Sequence, residues 1–520
     1  MPSTNSPTGR RQRTFRLHDN VDLPSPHRTL GGAAGIGSID SSIESPPILQ
    51  PTLSQYDWKI DFLQKELAGT QKNRADFLRS VNHLSPIHRL PTEILHEIFL
   101  DACTSDASPM CSNNRKKLRY VSETPLRIAA VCTHWREACL SSPRFWTFVF
   151  IDADDAHLSR SVKSLAALYQ ERSSSKPFTC SISAKYHRGY EDEVEELENP
   201  TIPYISLKTL FSDDMLDFNE CRLLTLDMIV GELSDLSIQS PQFTSLECLH
   251  IKGYYVYDVI GEDSSPLFVD APRLSELRLF DTRCMVGFEL PWAQIRTLWL
   301  QCYDQFGDAF EDMTTIIEHF PRLETLVLQE IYEWHRSELM DSTTQEGVRT
   351  LRVLSFRGSA IFRVLRLPDL RCLEVVDESP DVNALLPFLA SSPVLTEIRF
   401  DNLAIRDTDL LRILDETPEL KWLVVVECKE VLKCFAITND LLVRLQEPSA
   451  SLTKLEHVEP VWAENNEIEE GKVLDVLEAR HGCGTLMSAV IGVRGGGELK
   501  EGTLARIQSL REQKMSVCLY

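Results

Sequence analysis

The sequence predicts an α/β protein, a small all-helical module followed by an irregular solenoid of short parallel strands and helices. Three observations predict it. A unit of the form apolar-x-x-apolar-x-apolar recurs nine times between residues 223 and 425. Stretches with helical apolar spacing precede it, between residues 90 and 146. At 520 residues the chain also exceeds one ordinary core, so several units or an elongated array are expected.

Composition narrows the class. A hydrophobic content of 43% with 25% charged residues is that of a soluble globular protein. The formal net charge of −23 disfavours binding to nucleic acid or to an anionic membrane, since both select basic surfaces. No run approaches the ~20 apolar residues of a membrane helix. Residues 1–50 lack the apolar core of a secretory signal. The 14 cysteines follow no regular spacing and sit in apolar patterns, as Cys132 and Cys248 do. A reducing compartment follows, cytoplasmic or nuclear.

Residues 1–50, rich in Ser, Pro, Gly and Thr, are expected to be a disordered tail. Its cluster Arg10, Arg11, Arg13 and Arg16 is read as solvated, with nuclear import as the alternative. Residues 51–83 form an amphipathic helix. Leu53, Tyr56, Ile60, Leu63 and Leu67 repeat at coiled-coil spacing. Thr70 and Arg74 interrupt that seam before Phe77, Val81 and Leu84, which favours packing within the chain over self-association through residues 53–84.

Residues 84–149 form the helical module. Pro91 suits a helix first turn, where its missing N–H costs nothing. Glu93 sits near the positive end of the helix dipole. Ile94, Leu95, Ile98 and Phe99 fall on one face. A second helix carries Ile128, Val131, Cys132, Trp135 and Cys139 at similar spacing, followed by Pro143 and Trp146.

The order Leu90-Pro91-Thr92-Glu93-Ile94-Leu95, then Val131-Cys132-Thr133-His134-Trp135-Arg136, then Pro143-Arg144-Phe145-Trp146 resembles an F-box, the module that docks onto a Skp-type adaptor of a cullin ubiquitin ligase. The preceding helix, entering through Ser85-Pro86 and Leu90-Pro91-Thr92-Glu93, is similar to a large group of fungal, basidiomycete-type F-box proteins. The resemblance implies that Leu90, Pro91, Ile94, Leu95, Ile98, Val131, Trp135 and Trp146 form the adaptor contact and its immediate support. The chain departs from the pattern in a long polar insertion at residues 101–124.

Residues 150–215 are expected to connect the module to the array, with a solvated acidic loop at residues 191–198. The array itself occupies residues 216–460. Its units are Leu223/Leu226/Met228, Leu246/Leu249/Ile251, Leu274/Leu277/Leu279, Ile295/Leu298/Leu300, Leu323/Leu326/Leu328, Leu351/Leu354/Phe356, Leu370/Leu373/Val375, Leu395/Ile398/Phe400 and Leu420/Leu423/Val425, with Leu452/Leu455 as a degenerate tenth. Starts lie 19 to 32 residues apart, the strand signature of a leucine-rich repeat. Each unit supplies one strand and buries its apolar face only against its neighbours. Helices are expected at residues 314–320, 382–390 and 407–415. Pro272, Pro321, Pro368, Pro393 and Pro418 each stand two residues before a unit, ending the preceding element and setting up the strand. The Asn or Cys usual three residues past each unit is replaced by Tyr254, Thr282, Tyr303, Ile331, Ser359, Glu378 and Leu403, and only Cys428 fits. Residues 461–520 are expected to close the array as a helix–strand–helix cap.

No catalytic constellation emerges. The run Gly492-Val493-Arg494-Gly495-Gly496-Gly497 lacks the lysine and spacing of a phosphate-binding loop. His481 and Cys483 lack a second ligand pair at metal spacing. No enzymatic activity, cofactor or metal is expected. The expected function is substrate recognition for an SCF-type cullin ubiquitin ligase, with the F-box holding the Skp-type adaptor and the repeats holding an unidentified target protein. Tyr254, Tyr257, Trp299, Tyr303 and Trp422 are the candidate target anchors, because aromatics dominate binding hot spots. The alternative is a non-degradative interaction protein that uses the adaptor only for stability or localisation.

Overall fold

The computed structural model describes residues 49–82, 86–107, 124–152, 159–174, 176–184, 216–229, 242–254, 267–280, 289–301, 317–329, 343–354, 360–376, 379–429, 434–447 and 452–520. The tail before residue 49, its basic cluster, residues 108–123 of the insertion and the acidic run at 191–198 lie outside these residues. The chain divides into two compact units, Met1–Arg89 and Leu90–Tyr520.

The first unit contains one continuous helix, α1 (Leu49–Asn82), and a 3-10 turn, Pro86–Arg89. Every side chain from residue 54 to 77 is exposed.

The second unit begins with α2 (Thr92–Ala107), α3 (Thr124–Val131) and α4 (Thr133–Ser141), followed by a 3-10 turn at Pro143–Trp146. The single helix expected through Ile128 and Cys139 is two helices. Cys132 is extended (φ −158°, ψ 172°) and caps α4, its Sγ accepting from Trp135 N at 3.4 Å. Arg136 Nε donates to Ala129 O at 2.9 Å, satisfying a carbonyl left open at the end of α3. Pro91 stands just outside α2 rather than in its first turn, and its carbonyl accepts from Ile94 N and Leu95 N at 3.1 Å.

A parallel sheet of 14 strands follows. Its strands and intervening helices are β1 (Phe148–Asp152), α5 (Ser159–Ser173), β2 (Phe178–Ala184), β3 (Cys221–Ile229), β4 (Cys248–Tyr254), β5 (Glu276–Leu279), β6 (Thr297–Gln301), β7 (Thr325–Gln329), β9 (Thr350–Leu354), β11 (Cys372–Val376), α7 (Val382–Ala390), β12 (Glu397–Leu403), α8 (Asp407–Asp415), β13 (Trp422–Glu427), α9 (Asn439–Gln446), β14 (His457–Ala463), α10 (Glu470–Gly482), β15 (Ser488–Arg494), α11 (Glu501–Glu512) and β16 (Ser516–Leu519). Two short strands, β8 (Thr343–Thr344) and β10 (Leu365–Arg366), pair separately around α6 (Ala360–Val364). Each strand of the large sheet hydrogen-bonds only to its neighbours in chain order.

The register aligns two apolar columns. One runs Val149, Cys180, Leu224, Leu249, Leu277, Leu298, Leu326, Leu351, Leu373, Ile398, Leu423, Val458, Ala489 and Val517. All of these side chains are buried. The second lies two residues further along each strand, from Ile151 through Leu300 to Val425. Helices such as α7 and α8 cover these columns with their own buried faces, Leu385 and Phe388 on α7 and Leu410 and Leu414 on α8. A small apolar cavity of about 20 Å³ remains between Leu423, Leu441, Val458 and Leu477.

Three expected units shift register. The β3 unit is Cys221/Leu224/Leu226, because Leu224 pairs with Leu249 and Leu223 does not. The β9 unit is Val348/Leu351/Val353, because Leu351 pairs with Leu326 and Leu373. The tenth is Leu455/Val458/Pro460. The sheet also extends beyond the expected array at both ends. The 149/150 boundary falls inside β1 and the 460/461 boundary inside β14, and residues 461–520 add β15 and β16 to the same ladder.

The recurrent prolines have a sharper role than helix termination. In each Pro-marked unit the first apolar N–H closes a four-residue turn, as in Leu395 N to Ser392 O and Leu420 N to Thr417 O, both 3.2 Å. Pro393 and Pro418 hold the second turn position, where their fixed φ is favoured. Side chains tie some turns to the preceding unit. Gln345 Nε2 donates to Phe320 O at 2.9 Å and Ser392 Oγ to Leu367 O at 3.0 Å. Of the residues standing in place of the usual Asn, Leu403 and Cys428 are buried, Tyr254 ends β4, and Thr282, Tyr303, Ile331, Ser359 and Glu378 lie outside the described residues.

Candidate interaction surfaces

Two surfaces gather the residues singled out in the sequence. On the helical module they separate by burial. Ile94, Ile98 and Val131 are 48%, 45% and 58% exposed, whereas Leu95 is fully buried. Pro91 is exposed and Leu90 half-buried. Ile94 and Ile98 stand one helical turn apart, so they share a face of α2. Leu140 on α4, which sequence reasoning passed over, is also an exposed apolar side chain.

Behind this face lies an aromatic cluster. Phe99 packs on Trp135 at 4.8 Å and on Phe145 at 6.1 Å between ring centroids, and His96 meets Phe145 edge-on at 5.3 Å. Trp135 is half-buried, and its indole N–H finds no acceptor among the described residues. Trp146 is interior. Its Nε1 donates to Cys139 O at 3.0 Å, Tyr169 of α5 packs on it at 5.1 Å, and the Arg172 guanidinium lies 4.4 Å over its ring. Leu95 and Trp146 therefore support the module, and Ile94, Ile98 and Val131 offer apolar surface.

The second surface is the sheet face opposite the apolar columns. Trp299 of β6 and Trp422 of β13 both lie on it, because each alternates with column residues along its strand. The Arg278 guanidinium lies 4.5 Å over Trp299, whose Nε1 donates to Gln329 Oε1 at 3.2 Å. Trp422, 42% exposed, stacks on His457 at 4.3 Å. The side chain of Tyr254 lies outside the described ones, as do Tyr257 and Tyr303 altogether.

Sequence reasoning missed the polar part of this face. Arg352 binds Glu374 through two nitrogens at 2.6 and 3.3 Å. Arg494 bridges Asp401 at 3.2 Å and the Glu427 carbonyl at 2.7 Å. On the core side of β13, the almost fully buried Glu427 carboxylate accepts from Ile437 N, Ala463 N and Asn466 Nδ2. The signal was available in the middle x of apolar-x-apolar, which alternation turns outward: His250, Arg278, Trp299, Arg352 and Glu374 all hold that place.

The face includes a serine–histidine–glutamate grouping. Ser488 Oγ lies 2.7 Å from His457 Nδ1, and His457 Nε2 lies 4.0 Å from Glu459. Burial lowers the His457 pKa and raises that of Glu459. Ser488 N is committed to Glu456 O at 3.2 Å, so the serine's own amide is not free to stabilise an oxyanion. The grouping links β14 to β15. Cys221 is buried and Cys248 and Cys372 are half-buried, and desolvation pushes all three thiols up to about 12, which keeps them protonated. Among the described residues there is no group of three or more His, Cys, Asp or Glu placed to hold a metal, and no helix long and apolar enough to cross a membrane.

Compared with models of known protein families, the chain matches none, and a search of curated proteins returns no match.

Proposed function

We propose that this chain is the substrate-recognition subunit of an SCF-type cullin ubiquitin ligase. In this reading residues 84–149 are an F-box that binds a Skp-type adaptor, and the parallel array is a leucine-rich-repeat solenoid that binds a target protein. The observation that carries the reading is the division within the motif. Ile94, Ile98 and Val131 stay exposed while their neighbour Leu95 is buried, so the module folds without consuming the face that the resemblance gives to the adaptor. Exposed apolar clusters of this kind mark interaction surfaces. The strictly sequential pairing of strands supports the repeat reading, since each repeat of a solenoid contacts only its neighbours.

The chain itself makes no bond in this scheme. Holding a substrate lysine near an activated ubiquitin raises its effective concentration. The outer sheet face, with Trp299 and Trp422 held rigid by Arg278 and His457, is the target surface.

The test is Ile94→Asp combined with Ile98→Asp in the full chain, read by co-purification with a Skp-type adaptor and a cullin. Both side chains are about half exposed, so thermal unfolding should change little. Adaptor recovery is expected to fall by at least about a hundredfold, since buried unpaired carboxylates cost several kcal/mol at an apolar interface. Undiminished adaptor binding by the folded variant overturns the proposal. Capture of adaptor without cullin by the unmutated chain favours the non-degradative role instead.

A further inference from the structure

We draw no further inference here: the strongest candidate, the exposed Trp422 with Arg399 and Glu459 beside it on the outer sheet face, belongs to the target surface already described, and with charges of both signs around it nothing in the structure shows what covers it.

Discussion

His250 shows how a single side chain on the sheet face ties this fold to pH. It lies on β4 between Thr225 and Arg278, its Nδ1 3.4 Å from Thr225 Oγ1. Burial first, and the neighbouring Arg278 second, lower its pKa to about 4, against a smaller opposing pull from Glu276. The folded state therefore prefers the neutral imidazole. Above an unfolded value of about 6.5 the preference is fully met, and stability is lost as pH falls from there toward 4. Between pH 8 and pH 5 the loss from this one group is about 2 kcal/mol. His250→Gln should remove that part of the pH dependence, measured by chemical denaturation of both proteins at the two pH values. Equal slopes in the two proteins would disprove the assignment. The residues that the F-box resemblance singles out could not be sorted by burial in the sequence. Ile94 and Leu95 are adjacent, and only the packing of α2 against its neighbours decides that one is exposed and the other fully buried.

At the level of the element, the register of β3 gives the clearest test of what holds a strand in place. Its sequence, Cys-Arg-Leu-Leu-Thr-Leu-Asp-Met-Ile, matches the repeating pattern in two frames two residues apart. A leucine-weighted reading takes Leu223/Leu226/Met228. Pairing takes Cys221/Leu224/Leu226, which places Leu224 in the column and Leu223 half-exposed on the other face. Leu224→Ala should cost about 2–5 kcal/mol and Leu223→Thr less than about 1 kcal/mol, by equilibrium unfolding. The reverse order would restore the other frame. The same ambiguity misplaced β9, where Val348 rather than Leu351 opens the unit. Every unit marked by a proline was legible in frame, because Pro fixes the turn and the turn fixes the strand start. The helices α7 and α8 were legible to the residue, with Asp381 capping the first and Asp407 and Asp409 in the first turn of the second. Strand β14 was not, because Pro460 sits inside it and proline normally argues against a central strand. Its ladder to β15 passes from Val458 to Val461 around that residue.

For the whole molecule, the order of the strands determines how damage spreads. In a doubly wound sheet, strands distant in sequence are neighbours in space, and a lesion in one is felt across the core. Here each of 14 strands pairs only with those before and after it. Stability in such an array is approximated by a sum of unit terms and nearest-neighbour terms, so the effect of a lesion decays with distance along the chain. Leu298 of β6, fully buried between Leu277 and Leu326, is the place to introduce one. Leu298→Ala removes about 2–5 kcal/mol from its own unit and the two interfaces it shares. Native-state hydrogen exchange should show the amides of β5, β6 and β7 losing protection by several hundredfold, with those of β13 and β14 changing by less than about threefold. Strands β13 and β14 are an informative reference because their columns, Leu423 with Val458, continue the same stripe of core without touching β6. Uniform loss of protection across the sheet would mean that the strands share one cooperative core, and the repeat-by-repeat account of this fold would fail with it.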